Sequence, residues 1–304
     1  MQQEIEDFIN RIEEEIHQNK DEEIRCEQLK RLKEAEERLR DYDGKDAIIS
    51  SYDIAKRIES RRYEYKMHTR FTDLDKILDG FRLEQLITLA GATKNGKTAF
   101  AMELSTRLKE HNPMWLPFEE SAEELIRKFL ERGEKPPLFY TPKELTDKNL
   151  RWVEERIIES KIKYDTKIVF IDHLHYLVPF GTQRPDLEIG KTMRDLKTLA
   201  KKHNICIVIL CHLKKTQPLD KPSLDDLRDS SFIAQESDTV IMIWRVAVKG
   251  ELGIEMGNDV IVSVQANRRT GSTGNIKMSF TGNHYYEFDW KYSQEDRIQL
   301  SNNY

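Results

Sequence analysis

Two textures of apolar spacing divide the chain near residue 65. In the first forty residues, apolar side chains fall at Ile5, Phe8, Ile9, Ile12 and Ile16, then again at Ile24, Leu29, Leu32, Ala35 and Leu39. Steps of three and four line one face of a helix. The polar stretch Gln18-Asn19-Lys20-Asp21 interrupts the stripe, so two helices are expected, as a hairpin or a broken coiled coil. After Asp41-Tyr42-Asp43-Gly44-Lys45-Asp46 a further short helix is expected over 52–65.

From residue 66 the pattern changes to short continuous apolar runs. Strands are expected at 86–90, 114–118, 138–141, 167–172, 205–212, 239–244 and 259–266. Helical spacing fills the intervals at 98–110, 122–132, 147–162 and 187–203. Such alternation predicts an α/β fold with a mostly parallel sheet. Near the end, 275–280 and 284–290 flank Thr281-Gly282-Asn283, a hairpin signal with glycine in the turn. The expected organisation is a helical region with a linker helix, 1–65, and one α/β domain, 66–304.

Charge refines this picture. Residues 1–40 hold 21 charged side chains and neither Gly nor Pro. That region is read as either a solvated appendage or a surface for a neighbouring subunit or loading partner. The whole chain carries net charge −5, which excludes a uniformly basic nucleic-acid coat but leaves room for a local basic patch. Three cysteines, Cys26, Cys206 and Cys211, with no Cys-x-x-Cys, give neither a disulfide framework nor a zinc motif. A reducing cytoplasm is the expected setting. No apolar run approaches the ~20 residues of a membrane span. The acidic start, MQQEIEDFIN, has no signal-peptide core.

The sharpest chemistry follows the run at 86–90. Gly91-Ala92-Thr93-Lys94-Asn95-Gly96-Lys97-Thr98 matches G-x-x-x-x-G-K-[ST] between an expected strand and an expected helix. Successive N–H groups of such a loop, with the helix N-terminus, cradle phosphate. Lys97 is assigned to the β- and γ-phosphates and Thr98 to Mg²⁺. The implied ligands are ATP or another NTP, with Mg²⁺. A second apolar run ends in Asp172, the position that holds the Mg²⁺ shell in phosphate-loop proteins. A third ends in Glu119-Glu120. A carboxylate there can polarise the attacking water, or it can simply favour the dipole of the helix beginning near Ser121.

Four ordered segments resemble the DnaB-type hexameric replicative helicases, whose motor domain is RecA-like. They are Phe71-Thr72-Asp73-Leu74-Asp75 with Leu78-Asp79-Gly80; Phe118 to Leu125; Ile171-Asp172-His173-Leu174 with Leu210-Cys211-His212-Leu213; and Asp226-Leu227-Arg228-Asp229-Ser230 with Gln235 and Asp238. The resemblance spans about residues 66–290. The Asp-His-Leu and His-Leu pairs are nearer to phage and mitochondrial members; the bacterial type usually has Gln where His212 stands. The resemblance implies a homo-hexameric ring that hydrolyses NTP at subunit interfaces and moves on single-stranded DNA. It places Glu119 as the residue that activates water. A primase or a helicase loader is an implied partner.

Such a motor needs a cation from the neighbouring subunit. Asn267-Arg268-Arg269-Thr270-Gly271 ends an expected strand and offers Arg268 or Arg269. The family pattern is Lys-x-Arg. One register puts Asn267 in the Lys position and the other puts Ala266 there, so the Lys is missing in both. His212, after its apolar run, is read as a γ-phosphate sensor. The loop that follows carries Lys214, Lys215 and Lys221, and an earlier loop carries Arg184. Arg184, Lys214 and Lys215 are the expected DNA-phosphate contacts. Two competing readings are a RecA- or RadA-like recombination ATPase and a non-helicase, nucleotide-dependent DNA-binding or adaptor module.

Overall fold

In the computed structural model the described residues are 11, 14, 26–34, 44, 47–60, 65–131, 136, 138–178, 184–213, 222–227, 230–250, 253–281 and 284–287. The chain divides into two compact units, 1–64 and 65–304. In the first, residues 26–34 are helical, and α1 (Ser51–Ser60) follows. The Ser50 hydroxyl oxygen accepts from the Asp53 N–H at 3.1 Å, the contact of a helix N-cap. Most of the two expected N-terminal helices, and 61–64 of the expected third, lie outside the described residues.

The second unit runs, in order, β1 (Lys66–Met67), α2 (Thr72–Leu78), β2 (Phe81–Arg82), β3 (Leu86–Gly91), α3 (Lys97–Arg107), β4 (Met114–Pro117), α4 (Ala122–Glu131), α5 (Leu150–Tyr164), β5 (Ile168–Asp172), α6 (Pro185–His203), β6 (Cys206–His212), α7 (Ser230–Glu236), β7 (Thr239–Gly250), β8 (Gly253–Asn267), β9 (Gly274–Thr281) and β10 (His284–Glu287). Eight strands make one sheet in the order β10-β9-β8-β7-β3-β6-β5-β4. The five from β7 to β4 are mutually parallel, and β8, β9 and β10 are added antiparallel. The small pair β1–β2 stands apart.

Both faces of the sheet are covered, which is why its parallel strands read as unbroken apolar runs. Side chains alternate along β3. Ile87 and Leu89 face Phe100 and Leu104 of α3 and Phe129 of α4. Leu86 and Ala90 face Val153 of α5 and Ile189, Met193 and Leu196 of α6. The helix ends carry their own reasons. Asn149 caps α5 by accepting from Trp152 N–H at 2.9 Å. Pro185 opens α6, where its missing N–H costs nothing.

The structure departs from expectation in places. Residues 138–141 are not a strand; Tyr140 makes one isolated bridge to Met114 at the sheet edge. Pro136, Pro137 and Pro142 flank the segment and deny the N–H groups a ladder needs. β7 and β8 extend well past 244 and before 259, because an antiparallel hairpin pairs by backbone alone. The helix α2 falls within the lead-in motif at 71–80, where spacing alone predicts no element. Its Asp75 folds the preceding chain back, accepting from the N–H groups of Thr69 at 2.9 Å and Arg70 at 3.0 Å. The hairpin signal holds: Thr281 pairs with His284. Among the described residues no helix is long and apolar enough to cross a membrane.

Candidate active site

Four parallel strands finish on one edge of the sheet, and their ends meet. β3 ends at Gly91, β5 at Asp172, β6 at His212, and Glu119 lies two residues past β4. Register brings them together: Gly91 pairs with His212, and Pro117 with Asp172. The Glu119 N–H then donates to the Asp172 carbonyl at 3.0 Å. The carboxyl ends of the strands are where open α/β sheets bind ligands.

The glycine loop occupies 91–96. Gly96 has φ +85°, and a Cβ there would lie 2.3 Å from the Tyr285 hydroxyl. A Cβ at Gly91 would lie 2.6 Å from the Ile243 carbonyl oxygen. Ala92, Thr93 and Lys94 form the open rim of the loop, while Asn95 is buried and works inward. Its side-chain carbonyl accepts from Arg245 N–H at 2.9 Å and ties the loop to β7. Lys97 is buried too, with Nζ donating to the Ala92 carbonyl at 3.1 Å and standing 3.1 Å from His212 Nδ1. Burial holds its pKa below the usual lysine range.

Thr98 Oγ1 donates to Asp172 Oδ2 at 2.9 Å. A hydroxyl and a buried carboxylate side by side are the oxygen donors that suit Mg²⁺. Burial, chiefly, pushes the Asp172 carboxyl up to about 6. Holding a metal requires the carboxylate. Binding of Mg²⁺–nucleotide is therefore expected to weaken as pH falls through 6, by up to about tenfold per unit. Titrating a fluorescent nucleotide with Mg²⁺ between pH 5 and 8 checks this; a loss beginning only near 4 would show an ordinary carboxyl. In the metal-free protein the sign reverses, because the protonated acid favours the folded state and that contribution is lost as pH rises from 4 to 6.

Glu119 is more than one-third exposed and faces the cleft. Glu120 also borders the cleft, but its carboxylate is engaged by Lys128 of α4. His212 is mostly buried beside the loop, with Nε2 3.8 Å from Glu119 Oε2. Together these groups line a cleft of about 600 Å³, with Phe280 and Met102 supplying apolar wall.

The two candidate arginines differ. β8 stops at Asn267 and 268–270 form a turn, so they do not alternate along a strand. Arg269 Nη2 contacts Asp79 Oδ2 at 2.9 Å, an acid that the motif at 267–271 gave no sign of. The Arg268 side chain is exposed and makes no ion pair or hydrogen bond among the described residues. Asn267 is buried and holds the turn, donating to Thr270 Oγ1 at 2.7 Å. Of the expected DNA contacts, Arg184 is exposed and pairs with Asp186 at 2.9 Å. Lys214 and Lys215 lie outside the described residues.

Three contacts escaped the sequence reading. Asp238 Oδ2 accepts from the Leu86 N–H at 2.7 Å and pins the start of β3. His173, quoted only within a motif, lies with Nε2 3.6 Å from Glu119 Oε2. Tyr285 on β10 donates its hydroxyl to the Gly96 carbonyl at 2.8 Å, across 189 residues. No local signal marks that contact. Tyr285→Phe keeps the ring and removes one hydrogen bond worth about 1 kcal/mol. It is expected to raise the nucleotide KM severalfold with kcat nearly unchanged, which steady-state kinetics would read.

A glycine loop between the central strand and α3, with an acid on a nearby parallel strand, defines a phosphate-loop nucleotide-binding domain of RecA-like fold. Residues 66–137 and 131–289 match the DnaB-like helicase C terminal domain, and the chain belongs to that family. A probable replicative DNA helicase of Trieres chinensis is 26 % identical over 262 residues, covering 72 % of this chain and 56 % of the relative. The replicative DNA helicase DnaB of Haemophilus influenzae is 26 % identical over 276 residues, covering 78 % and 58 %. The chain thus spans under two-thirds of these relatives' length. Among solved structures, an isolated ATPase domain matches with TM-score 0.65 at 18 % identity, over 78 % of this chain and 97 % of that one. A DnaB-like replicative helicase, solved in a study of its interactions with primase, matches with TM-score 0.66 at 18 % identity, over 95 % and 77 %.

Proposed function

We propose that this chain is the motor of an ATP-dependent replicative DNA helicase, working as a homo-hexameric ring on single-stranded DNA. The observation that carries the reading is the meeting of four strand ends: Lys97 and Thr98 at the loop, Asp172 and His212 beside it, and Glu119 across the cleft. NTP binds with its phosphates on the N–H groups of 91–98 and on Lys97. Glu119 accepts a proton from water as the new oxygen–phosphorus bond forms, and the β–γ bridging bond breaks. ADP and phosphate leave. Thr98 and Asp172 would hold Mg²⁺, which would supply charge neutralisation for the phosphates. His212, between Lys97 and Glu119, would feel the loss of the γ-phosphate. An arginine of the neighbouring subunit, Arg268 or Arg269, completes the charge. Primase or a loader is the proposed protein partner.

DNA is proposed to run past Lys214, Lys215 and Arg184. Replacing both lysines by Ala is expected to weaken binding to unrelated sequences alike. It should reduce the log–log salt slope by up to about 1.4, at roughly 0.7 per lost single-strand phosphate contact. An unchanged slope in fluorescence anisotropy would put the strand elsewhere.

Asn267 supports a second reading. In the register that makes Arg269 the family's arginine it stands where the family has Lys, and its amide holds the turn. A nucleotide-dependent adaptor with slow hydrolysis would tolerate that. Electron microscopy with an ATP analogue, Mg²⁺ and an oligonucleotide separates the readings. A closed ring around the strand supports the helicase, a filament supports a recombination ATPase, and a monomer supports the adaptor.

A further inference from the structure

His173 has no part in the phosphate loop or the Mg²⁺ pair, yet it completes a cluster. Its Nε2 lies 3.6 Å from Glu119 Oε2, and His212 Nε2 lies 3.8 Å from the same oxygen. The two rings meet edge to face at 4.5 Å between centroids. One ligand atom from each of Glu119, His173 and His212 lies within 4.8 Å of the other two. His173 is largely buried, and its Nδ1 has no hydrogen-bond partner among the described residues.

The spacing matters. At 3.6 and 3.8 Å the carboxylate and the imidazoles are too far apart for good hydrogen bonds. They are close to the separation of two donors on one tetrahedral ion: bonds of about 2.0–2.1 Å put neighbouring ligands roughly 3.4 Å apart. A small rotation of Glu119, the most exposed of the three, brings its oxygen to that spacing, and the two ring nitrogens, within 4.8 Å of each other, close theirs by rotation of the rings. Two imidazole nitrogens and one carboxylate oxygen form a borderline ligand set. Zn²⁺ and its neighbours favour it; Mg²⁺, which wants oxygen throughout, does not.

We propose that Glu119, His173 and His212 form a binding site for a Zn²⁺-class transition-metal ion, separate from the Thr98–Asp172 pair, and that its occupation stops nucleotide hydrolysis. The site stands on the geometry alone; the inhibition rests on the proposed role of Glu119. Bound metal takes the carboxylate lone pair that would accept the water proton. Ligation through His212 Nε2 also leaves the ring proton on Nδ1, which faces Lys97 Nζ at 3.1 Å, so that contact must open. Lys97 opposes the incoming cation and weakens its binding.

The test uses the full chain, stripped by chelator and then given zinc in a metal-buffered solution with excess Mg²⁺. Competition against a chromogenic chelator should show one Zn²⁺ per chain. Co²⁺ as a spectroscopic probe should give visible d–d bands with no thiolate charge-transfer band. His173→Asn, His212→Asn and Glu119→Gln should each weaken zinc at least tenfold, and Cys26→Ser should not. ATP turnover of the parent should fall with zinc occupancy. His173→Asn should turn over ATP without zinc and need at least tenfold more zinc for the same inhibition. Thermal melts identify a variant that fails to fold, and the remaining two then decide. Unchanged zinc affinity in the folded variants, or a thiolate band, overturns the site. Zinc bound through these residues without loss of turnover overturns the inhibition. In that event, normal turnover by Glu119→Gln would trace the failure to the role given to Glu119.

Discussion

Glu119→Gln is expected to bind ATP with parental affinity and to lose turnover by about 10²–10⁴-fold, the usual contribution of a positioned general base. Lys97→Ala is expected to fail earlier, at nucleotide binding, because Lys97 is the buried cation of the phosphate loop. The contrast follows from position. Lys97 Nζ sits inside the loop against the Ala92 carbonyl, where phosphate oxygens would replace that partner. Glu119 stands across the cleft, outside the loop, and is open enough to share the cleft with a water molecule. Glu120→Gln is the control. Its carboxylate is engaged by Lys128, so turnover should stay within a few-fold of the parent. Pre-steady-state binding of a fluorescent nucleotide, alongside phosphate release, separates the two steps. Parental turnover in Glu119→Gln with loss in Glu120→Gln would move the catalytic role one residue along the chain.

The parts of this site that lay in the sequence are those made by neighbours in the chain. The loop 91–98 is contiguous, so its spacing and its strand–helix setting were readable together. Asp172 was readable as the acid that ends an apolar run. The parts that were hidden join distant segments through the sheet order. Nothing near residue 285 says that its hydroxyl will meet Gly96, and nothing near 287 says that Glu287 will cap α2 by accepting from the N–H groups of Thr72 and Asp73. Both contacts depend on β10 lying at the far edge of the sheet, a matter of topology and not of local preference. The reading of 138–141 failed for the opposite reason. Its side chains suit a strand, but the flanking prolines limit its backbone pairing. Asp79 shows a third limit. It sits in a segment that resembles the family, yet its pairing with Arg82, Lys66 and Arg269 depends on β2 and the turn after β8 being in place.

That pairing bears on the arginine proposed to complete the neighbouring site. Loss of the transmitted cation is expected to lower kcat by about 10³–10⁵-fold, the scale of such residues in phosphate-loop enzymes. Arg268 is ready to cross an interface, since its side chain is exposed and has no partner among the described residues. Arg269 must first leave Asp79, but an ion pair this open to water adds little to stability and does not bar it. Single Ala substitutions therefore identify the arginine: one should cost orders of magnitude and the other only a few-fold. Asp79→Asn adds a second reading, because freeing Arg269 should raise turnover, by at most a few-fold, only if Arg269 is the cation that crosses. The mixing assay then tests sharing itself. The disabling arginine variant is combined with Lys97→Ala. Each alone has one defective element at every interface. In a head-to-tail ring, an equal random mixture places an intact Lys97 opposite an intact arginine at about one interface in four. Turnover should rise well above the sum of the separate proteins. If co-assembly is demonstrated and no such rise occurs, the arginine acts within its own subunit or not at all. With Asn267 or Ala266 in the place of the family's lysine, no trans cation then remains at that turn, and slow, adaptor-like nucleotide use becomes the better account of the site.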